Sequence, residues 1–566
     1  MKELYRRLRL RPALTTEILV ATLFVNVLFL ASPIYTIQIL SRYIPYGFDG
    51  TLITLTCGML AALALMFFFG VIRTRLASAV SSEPDRLLAA QTMEVLTRAR
   101  GQALARIPPA KVQEYMSGPQ TVQAAFDGQR ICSVVDMPFS VLFLLAVLFL
   151  SRLLAMLTFA CIVFIVLNGV WSMRKARKGE MESRDENTSH RGLVASAIAG
   201  SDTVRAFLGA GFVRRAWEEQ GHRLAALRRR LGDERSVTQN LLAGVANLLR
   251  VAVYAVGAKE VVMGELTVGT LIGASILSSK AMASASSFMQ SFLLMRQAED
   301  VLGQLREFFS LPLESPSGAA LRHFSGRLEF HDVGFGYPGM TGPLFESMTF
   351  TLEPGDVCWV DGLNGSGKTT LAKLVVGLAE PARGGILADG VDIRQFAPEW
   401  WRRQILYMPQ EPVFLNASIL ENITLSAPGV DGERLNAVVR AAGLRRFLDN
   451  SPRGLETPVV EGGRNLPVGV RRRLGLARAL MNPGHVAVFD EPTEGLDAEG
   501  VAAVHGVMGM LLRQKVTVLM ATTDPALVAL ANRRLDLNSK PVPGFGLGPR
   551  RGAVQPQGPV LSEATE

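Results

Sequence analysis

The first three hundred or so residues carry six apolar runs, at about 16–40, 51–72, 135–150, 153–173, 240–258 and 266–290. Several exceed the ~18 residues expected of a buried core helix. Inside a bilayer no water satisfies a peptide N–H or carbonyl, so such a chain crosses as helices or as a closed barrel. These runs read as six transmembrane helices over residues 1–300. Pro33 lies in the first run and is expected to kink it, which neighbouring helices tolerate. Lys2, Arg6, Arg7, Arg9 and Arg11 precede that run, and the long stretches 73–133 and 174–238 are charged and helix-rich, the second containing Arg228-Arg229-Arg230. The positive-inside rule puts both long loops and both chain ends in the cytoplasm, with three short loops opposite. It also accounts for the net charge of +9, so no nucleic-acid partner is implied. Arg250 falls in the fifth run. It reads either as lining a water-filled path or as snorkelling toward the membrane edge. Cys57, Cys132, Cys161 and Cys358 show no paired spacing and read as free thiols. The first run lacks a clear small-residue cleavage site and is expected to be retained.

Beyond Leu311–Gly318, a Pro/Ser/Gly linker, strands and helices alternate. The organisation reads as a linker over 301–326, an α/β domain over 327–538 and a disordered Pro/Gly-rich tail over 539–566. Within the α/β domain stands Gly362-Leu363-Asn364-Gly365-Ser366-Gly367-Lys368-Thr369, after a strand at Val357–Asp361 and opening a helix at Lys368. That context is the one the phosphate-binding loop of nucleotide hydrolases requires. The glycines let amide N–H groups converge, and a helix N-terminus adds partial positive charge. Lys368 is placed to reach β/γ-phosphates and Thr369 to hold Mg²⁺. Val486–Glu491 is an apolar run ending in two carboxylates. Asp490 suits Mg²⁺ and Glu491 suits a general base.

With both halves in view, residues 14–538 resemble an ABC transporter of the exporter type. The resemblance implies a membrane α-helical domain followed by a P-loop nucleoside triphosphatase domain, ATP and Mg²⁺ as ligands, and a dimer. It implies that Gly362, Asn364, Gly365, Ser366, Gly367, Lys368, Thr369 and Thr370 bind ATP. Tyr337 matches the adenine-stacking aromatic. Gln410, in Met408-Pro409-Gln410, matches the glutamine that touches Mg²⁺ and senses the membrane domain. Glu421-Asn422-Ile423 and Glu461-Gly462-Gly463 resemble exporter segments, and Asp497 matches the aspartate that crosses the dimer interface. In the membrane half, Ala31–Tyr35 with Gln38–Arg42, Gly264–Gly269 with Ala274–Ser278, and Gly200–Ala206 resemble type I secretion ATPases. That group resides in the bacterial inner membrane with the nucleotide-binding domain cytoplasmic. Its members pair with a periplasmic adaptor and an outer-membrane channel and export polypeptides. Some carry an N-terminal peptidase-like domain, which is not expected here because only a few residues precede the first run.

Two departures from the pattern bear on activity. The family's signature, Leu-Ser-Gly-Gly-Gln, stands here as Leu466-Pro467-Val468-Gly469-Val470. In the family its serine and amides close on the γ-phosphate held by the opposite subunit. Pro467 removes an N–H and the hydroxyl, and Val468 puts a branched side chain where backbone must approach phosphate. Each lost charge-assisted contact is worth ~1.5–3 kcal/mol. Thr523 stands where the family's switch histidine belongs, and His505, downstream of Asp497, comes too early. Neither a homodimer nor a heterodimer with another ABC half-transporter restores both features to one site. The expected protein is therefore an exporter with slow or asymmetric ATP hydrolysis. The alternatives are a nucleotide-sensing membrane subunit that does not pump, or an exporter of lipid or small hydrophobic compounds.

Overall fold

A computed structural model describes residues 1–337 and 342–549. The chain forms two units, one of Met1–Ala99 and Ala103–Leu311, the other of Arg100–Gln102 and Pro312 onward. The first unit is helical: α1 (Pro12–Phe29), α2 (Asp49–Arg98), α3 (Gly128–Val135), α4 (Met137–Leu150), α5 (Arg152–Ala199), α6 (Ala210–Val262) and α7 (Val268–Phe309), with further helices at Lys2–Leu10, before α1, and Pro109–Ala125, between α2 and α3, and shorter turns between. The α-helical pattern of the first run breaks at Leu30, where the Leu30 N–H donates to Val27 O at 3.0 Å. Pro33, three residues on, offers no N–H to the preceding turn. A π-helical turn, Ile39–Tyr43, follows before the segment ends at Tyr46.

Four helices of the described residues are long and apolar enough to cross a membrane, and a fifth if the bent pair α3–α4 counts as one span. α7 occupies the sixth expected run but is rich in Ser and Ala and carries Lys280, which lowers its hydropathy. The most apolar window of α2 buries none of its residues in the protein. Lipid accepts such a surface and water does not. The expected loops 73–133 and 174–238 are in large part the same helices continued, since α2, α5 and α6 each run for about fifty residues. Arg250 is exposed on α6. The four cysteines are unpaired.

α4, α5, α6 and α7 share an apolar core that includes Phe143, Leu154, Val253 and Ala281. Next to it lies a polar knot that no apolar pattern announces. Asp136, at the α3–α4 bend, accepts from Arg73 Nη1 at 2.7 Å and from Asn26 Nδ2 at 2.8 Å. Its own carbonyl accepts from Ser284 of α7 at 3.2 Å. One residue thus ties together α1, α2 and α7. Removing one partner of a mostly buried pair strands the other charge. Asp136→Ala should therefore destabilise the detergent-solubilised protein by about 3–5 kcal/mol. Asp136→Asn, which keeps an acceptor for Arg73 and Asn26, should cost clearly less; thermal unfolding of both variants checks this.

Among its described residues the second unit contains twelve strands: β1 (Leu328–Phe335), β2 (Phe345–Leu352), β3 (Val357–Asp361), β4 (Arg383–Ala388), β5 (Val391–Asp392), β6 (Ile405–Met408), β7 (Ala417–Ser418), β8 (Pro458–Val459), β9 (Val486–Asp490), β10 (Thr517–Ala521), β11 (Arg533–Asp536) and β12 (Gly544–Leu547). β2-β1-β4-β5 is an antiparallel sheet, β7 pairs with β8, and β12-β11-β3-β10-β9-β6 is the central sheet. The central sheet is parallel except for β12. Its strands alternate between two cores. Cys358, Val360, Val488 and Leu519 face one, with the antiparallel sheet and α8 (Lys368–Val375). Val357, Phe489, Val518 and Met520 face the other, with α9 (Val468–Leu480) and α10 (Ala498–Arg513). Burial on both faces explains why Val486–Asp490 reads as an unbroken apolar run.

Two boundaries differ from expectation. α7 continues to Phe309, so helix occupies the first part of the expected 301–326 linker. The expected 539–566 tail begins too early, because β12 pairs in register with β11, Phe545 against Leu535. Phe545 also stacks on Phe350 at 4.6 Å, which gives the strand an apolar anchor. The remainder, 550–566, lies outside the described residues.

Candidate nucleotide-binding site

Because β3, β10 and β9 are parallel neighbours, the segments that follow them leave one edge of the sheet together. These are the loop 362–367, Thr522–Thr523 and Glu491. The loop turns through Gly365 at φ +82° and Gly367 at φ +111°, backbone that a side chain would strain. At Gly367 a Cβ would also stand 2.9 Å from Leu344 and Phe345. Lys368 arches back so that its Nζ donates to Gly362 O at 2.7 Å. Ser366 is buried, and among the described residues its Oγ has no hydrogen-bond partner. A buried hydroxyl left open beside inward-turned glycines is what an anionic oxygen would satisfy. Asn364 lies exposed at the loop tip. Thr370 is buried, and its Oγ1 meets the Tyr337 hydroxyl at 3.0 Å. Tyr337 stands edge-on to Phe335 at 5.0 Å and stays 42% exposed, leaving ring surface free beside the loop.

Thr369 Oγ1 donates to Asp490 Oδ2 at 2.6 Å. Asp490 is 1% exposed, and burial pushes its carboxyl up, opposed by the Thr369 hydroxyl and the Lys368 ammonium. Two hard oxygen donors in contact, one a desolvated carboxylate, fit Mg²⁺. Glu491 follows in the left-handed region, φ +48°, its N–H donating to Ala521 O at 2.8 Å. Its Oε2 accepts the Thr523 N–H at 3.3 Å. Burial pushes the Glu491 carboxyl above its ordinary range as well, against the Thr523 N–H and Lys368. Thr523 therefore touches Glu491 through its main chain, which needs no particular side chain. His505 lies on α10, as its early position suggested, yet its Nε2 meets Asp524 Oδ2 at 2.8 Å, one residue from Thr523.

Other expected residues are not gathered here. Gln410 is exposed and its Nε2 donates to Glu494 Oε2 at 3.3 Å, with no hydrogen bond to Thr369 or Asp490 among the described residues. A carboxylate already oriented by Arg472 is the stronger acceptor. Pro467 is the N-cap of α9, with no side-chain oxygen to accept from the first turn. Leu466 is buried, Val468 is 51% exposed and Val470 packs on the second core. The backbone bonds of this stretch are local, Leu466 N to Gly463 O and Arg471 N to Pro467 O, and a Cβ on Gly469 would stand 4.0 Å from Gly495 O. Asp497 caps α10, accepting from Gly500 N at 2.9 Å and pairing with Arg473, whose hydrogen bond holds the carboxyl below its ordinary range. Sequence reasoning gave Arg472 and Glu494 no role. Their only sequence signals were a middle position in the run Arg471-Arg472-Arg473 and an acid four residues past Asp490.

Residues 15–285 match the family described as the ABC transporter transmembrane region, and residues 345–494 match the ABC transporter family. Alpha-hemolysin translocation ATP-binding protein HlyB of Escherichia coli O157:H7 is 26% identical over 533 residues, 91% of this chain and 72% of its own length. The toxin RTX-I translocation ATP-binding protein of Actinobacillus pleuropneumoniae is 24% identical over 89% of this chain and 72% of its own. The leukotoxin export ATP-binding protein LtxB of Aggregatibacter actinomycetemcomitans is similar at 23% over the same shares. A solved structure of a bacterial Atm1-family ABC exporter with ATP bound aligns with a TM-score of 0.80, at 20% identity, over 94% of each chain.

Proposed function

The chain belongs to the ABC transporters, a transmembrane region fused ahead of a nucleotide-binding domain, and from that premise we propose that it drives export of a polypeptide as the ABC subunit of a type I secretion system. In this reading it works as a dimer in the bacterial inner membrane, its nucleotide-binding domain cytoplasmic, with a periplasmic adaptor and an outer-membrane channel. The observation that carries ATP-driven work is the buried Asp490 carboxylate on Thr369 at 2.6 Å, directly beside the phosphate loop and followed by Glu491. The polypeptide cargo rests on relatives named for toxin translocation or export.

Each residue then has one task. The amides turned by Gly365 and Gly367, with Gly362, Asn364 and the Ser366 hydroxyl, cradle phosphate oxygens. Lys368 exchanges the Gly362 carbonyl for a phosphate oxygen. Thr370 braces Tyr337, whose free ring surface receives adenine. Thr369, Asp490 and Gln410 would hold Mg²⁺, which when bound would supply positive charge to the phosphates. Glu491 takes the proton of the attacking water, oriented by the Thr523 N–H. Asp497 reaches across the dimer interface. Leu466 to Val470 then close poorly on the opposite subunit's phosphate, and turnover is slow.

ATP hydrolysis by the purified protein in lipid, alone and beside any second ABC half-transporter, tests this. Turnover that rises with an added repeat-rich secreted polypeptide is the expected result, and none in either setting defeats it. Pro467, Val468 and Thr523 favour a second reading, a nucleotide-sensing subunit that binds ATP without pumping. Turnover raised by lipid or a small hydrophobic compound, and by no polypeptide, points instead to that cargo class.

A further inference from the structure

Glu494 sits where three parts of the nucleotide-binding unit meet. Its Oε2 accepts Gln410 Nε2 at 3.3 Å and Arg472 Nη2 at 3.1 Å. Arg472 is 8% exposed, and its Nη1 donates to the main-chain carbonyl of Glu491 at 3.1 Å. A single guanidinium from the altered signature helix thus fixes both Glu494 and the left-handed peptide of the proposed base. The turn lies close to the altered residues themselves, for a Cβ on Gly495 would stand 3.7 Å from Val468. Glu494 adds a third carboxylate beside Asp490 and Glu491, in a place already crowded with negative charge. Arg472 offsets that charge, and the remaining lone-pair capacity is directed at Gln410.

We propose that Glu494 is a positioning residue that holds Gln410 away from the metal, so that Mg·ATP must draw Gln410 off a carboxylate anchored by Arg472. The inference rests on Gln410 serving the metal, as proposed above. A contact of this kind slows activation without touching the phosphate loop, and it lies within one subunit.

The test is binding of a fluorescent ATP analogue to the full chain in lipid nanodiscs, with Mg²⁺ and again with EDTA. Glu494→Ala should tighten binding about three- to tenfold with Mg²⁺ and leave it unchanged with EDTA. In a Gln410→Ala background the same substitution should do nothing. Simple removal of negative charge predicts the opposite pattern, because metal-free ATP is the more anionic and would gain more. A gain in EDTA, a gain that persists without Gln410, or no gain at all each overturns the proposal. If the alanine variant misfolds, Glu494→Gln repeats the test: it keeps both partners but drops the charge. A smaller gain confined to Mg²⁺ supports the latch, and a metal-free gain overturns it. If the unaltered protein binds the analogue in neither condition, the nucleotide reading itself fails, a pattern unlike the others.

Discussion

Glu491→Gln should lower ATP turnover by about 10²–10⁴-fold while ATP binding persists. Glu491 touches none of Lys368, Thr369 or Asp490 through its described hydrogen bonds, so removing its basicity leaves the phosphate cradle intact. The amide keeps an oxygen for the Thr523 N–H, and the Arg472 contact goes to the main chain, so the left-handed turn should hold. Burial raises the Glu491 carboxyl, so its ionised fraction falls at a higher pH than for an exposed glutamate. The acid limb of turnover in the unaltered protein should therefore lie above the ordinary glutamate range and vanish in the variant. Because the folded carboxyl is raised, its ionised form opposes folding, and that penalty is relieved as pH falls through the folded value. A loss of turnover caused by unfolding would show in binding, and a loss of the base alone would not. Turnover within threefold of the unaltered protein would remove Glu491 from the mechanism.

How far the sequence could be read depended on which physics wrote each feature. Lipid permits few backbone solutions, so the apolar runs marked the membrane half without tertiary information. The phosphate loop was legible because positive φ and close approach at Gly367 restrict the residue type. Asp490 was legible because a strand buried on both faces leaves little else apolar to end on an acid. What stayed hidden depends on partners far apart in the chain. Asp136 holds Arg73 and Asn26 across 63 and 110 positions, and no periodicity encodes that. Gln410 and Glu494 are 84 positions apart, and a motif match assigns Gln410 a task without naming its resting partner. The long charged stretches read as loops because charge excludes them from lipid, yet helix continues there on pairs such as Arg214–Glu218 at 3.3 Å. β12 was read as tail because Pro and Gly dominate around it, while its single aromatic, Phe545, secures it to Phe350.

Rebuilding the signature as Pro467→Ser, Val468→Gly and Val470→Gln should raise ATP turnover by about ten- to a thousandfold. Two recovered hydrogen bonds to charged phosphate oxygens, at ~2 kcal/mol each, set the upper end. Helix energetics sets the lower end. Serine at the N-cap of α9 supplies an acceptor that Pro467 lacks, worth about 0.5–2 kcal/mol. Glycine at the first helical position gives part of that back through backbone entropy. Val468 is half exposed, so its loss opens no cavity, whereas Val470 packs on the core and its replacement carries the main folding risk. The pair Pro467→Ser with Val468→Gly, leaving Val470 in place, therefore separates closure from stability. Thermal unfolding should change little in that double variant while turnover rises. If turnover stays flat and nucleotide-dependent dimer crosslinking increases, closure was not limiting. The missing charge at Thr523 then becomes the limiting defect, and Thr523→His in the rebuilt background should supply the gain.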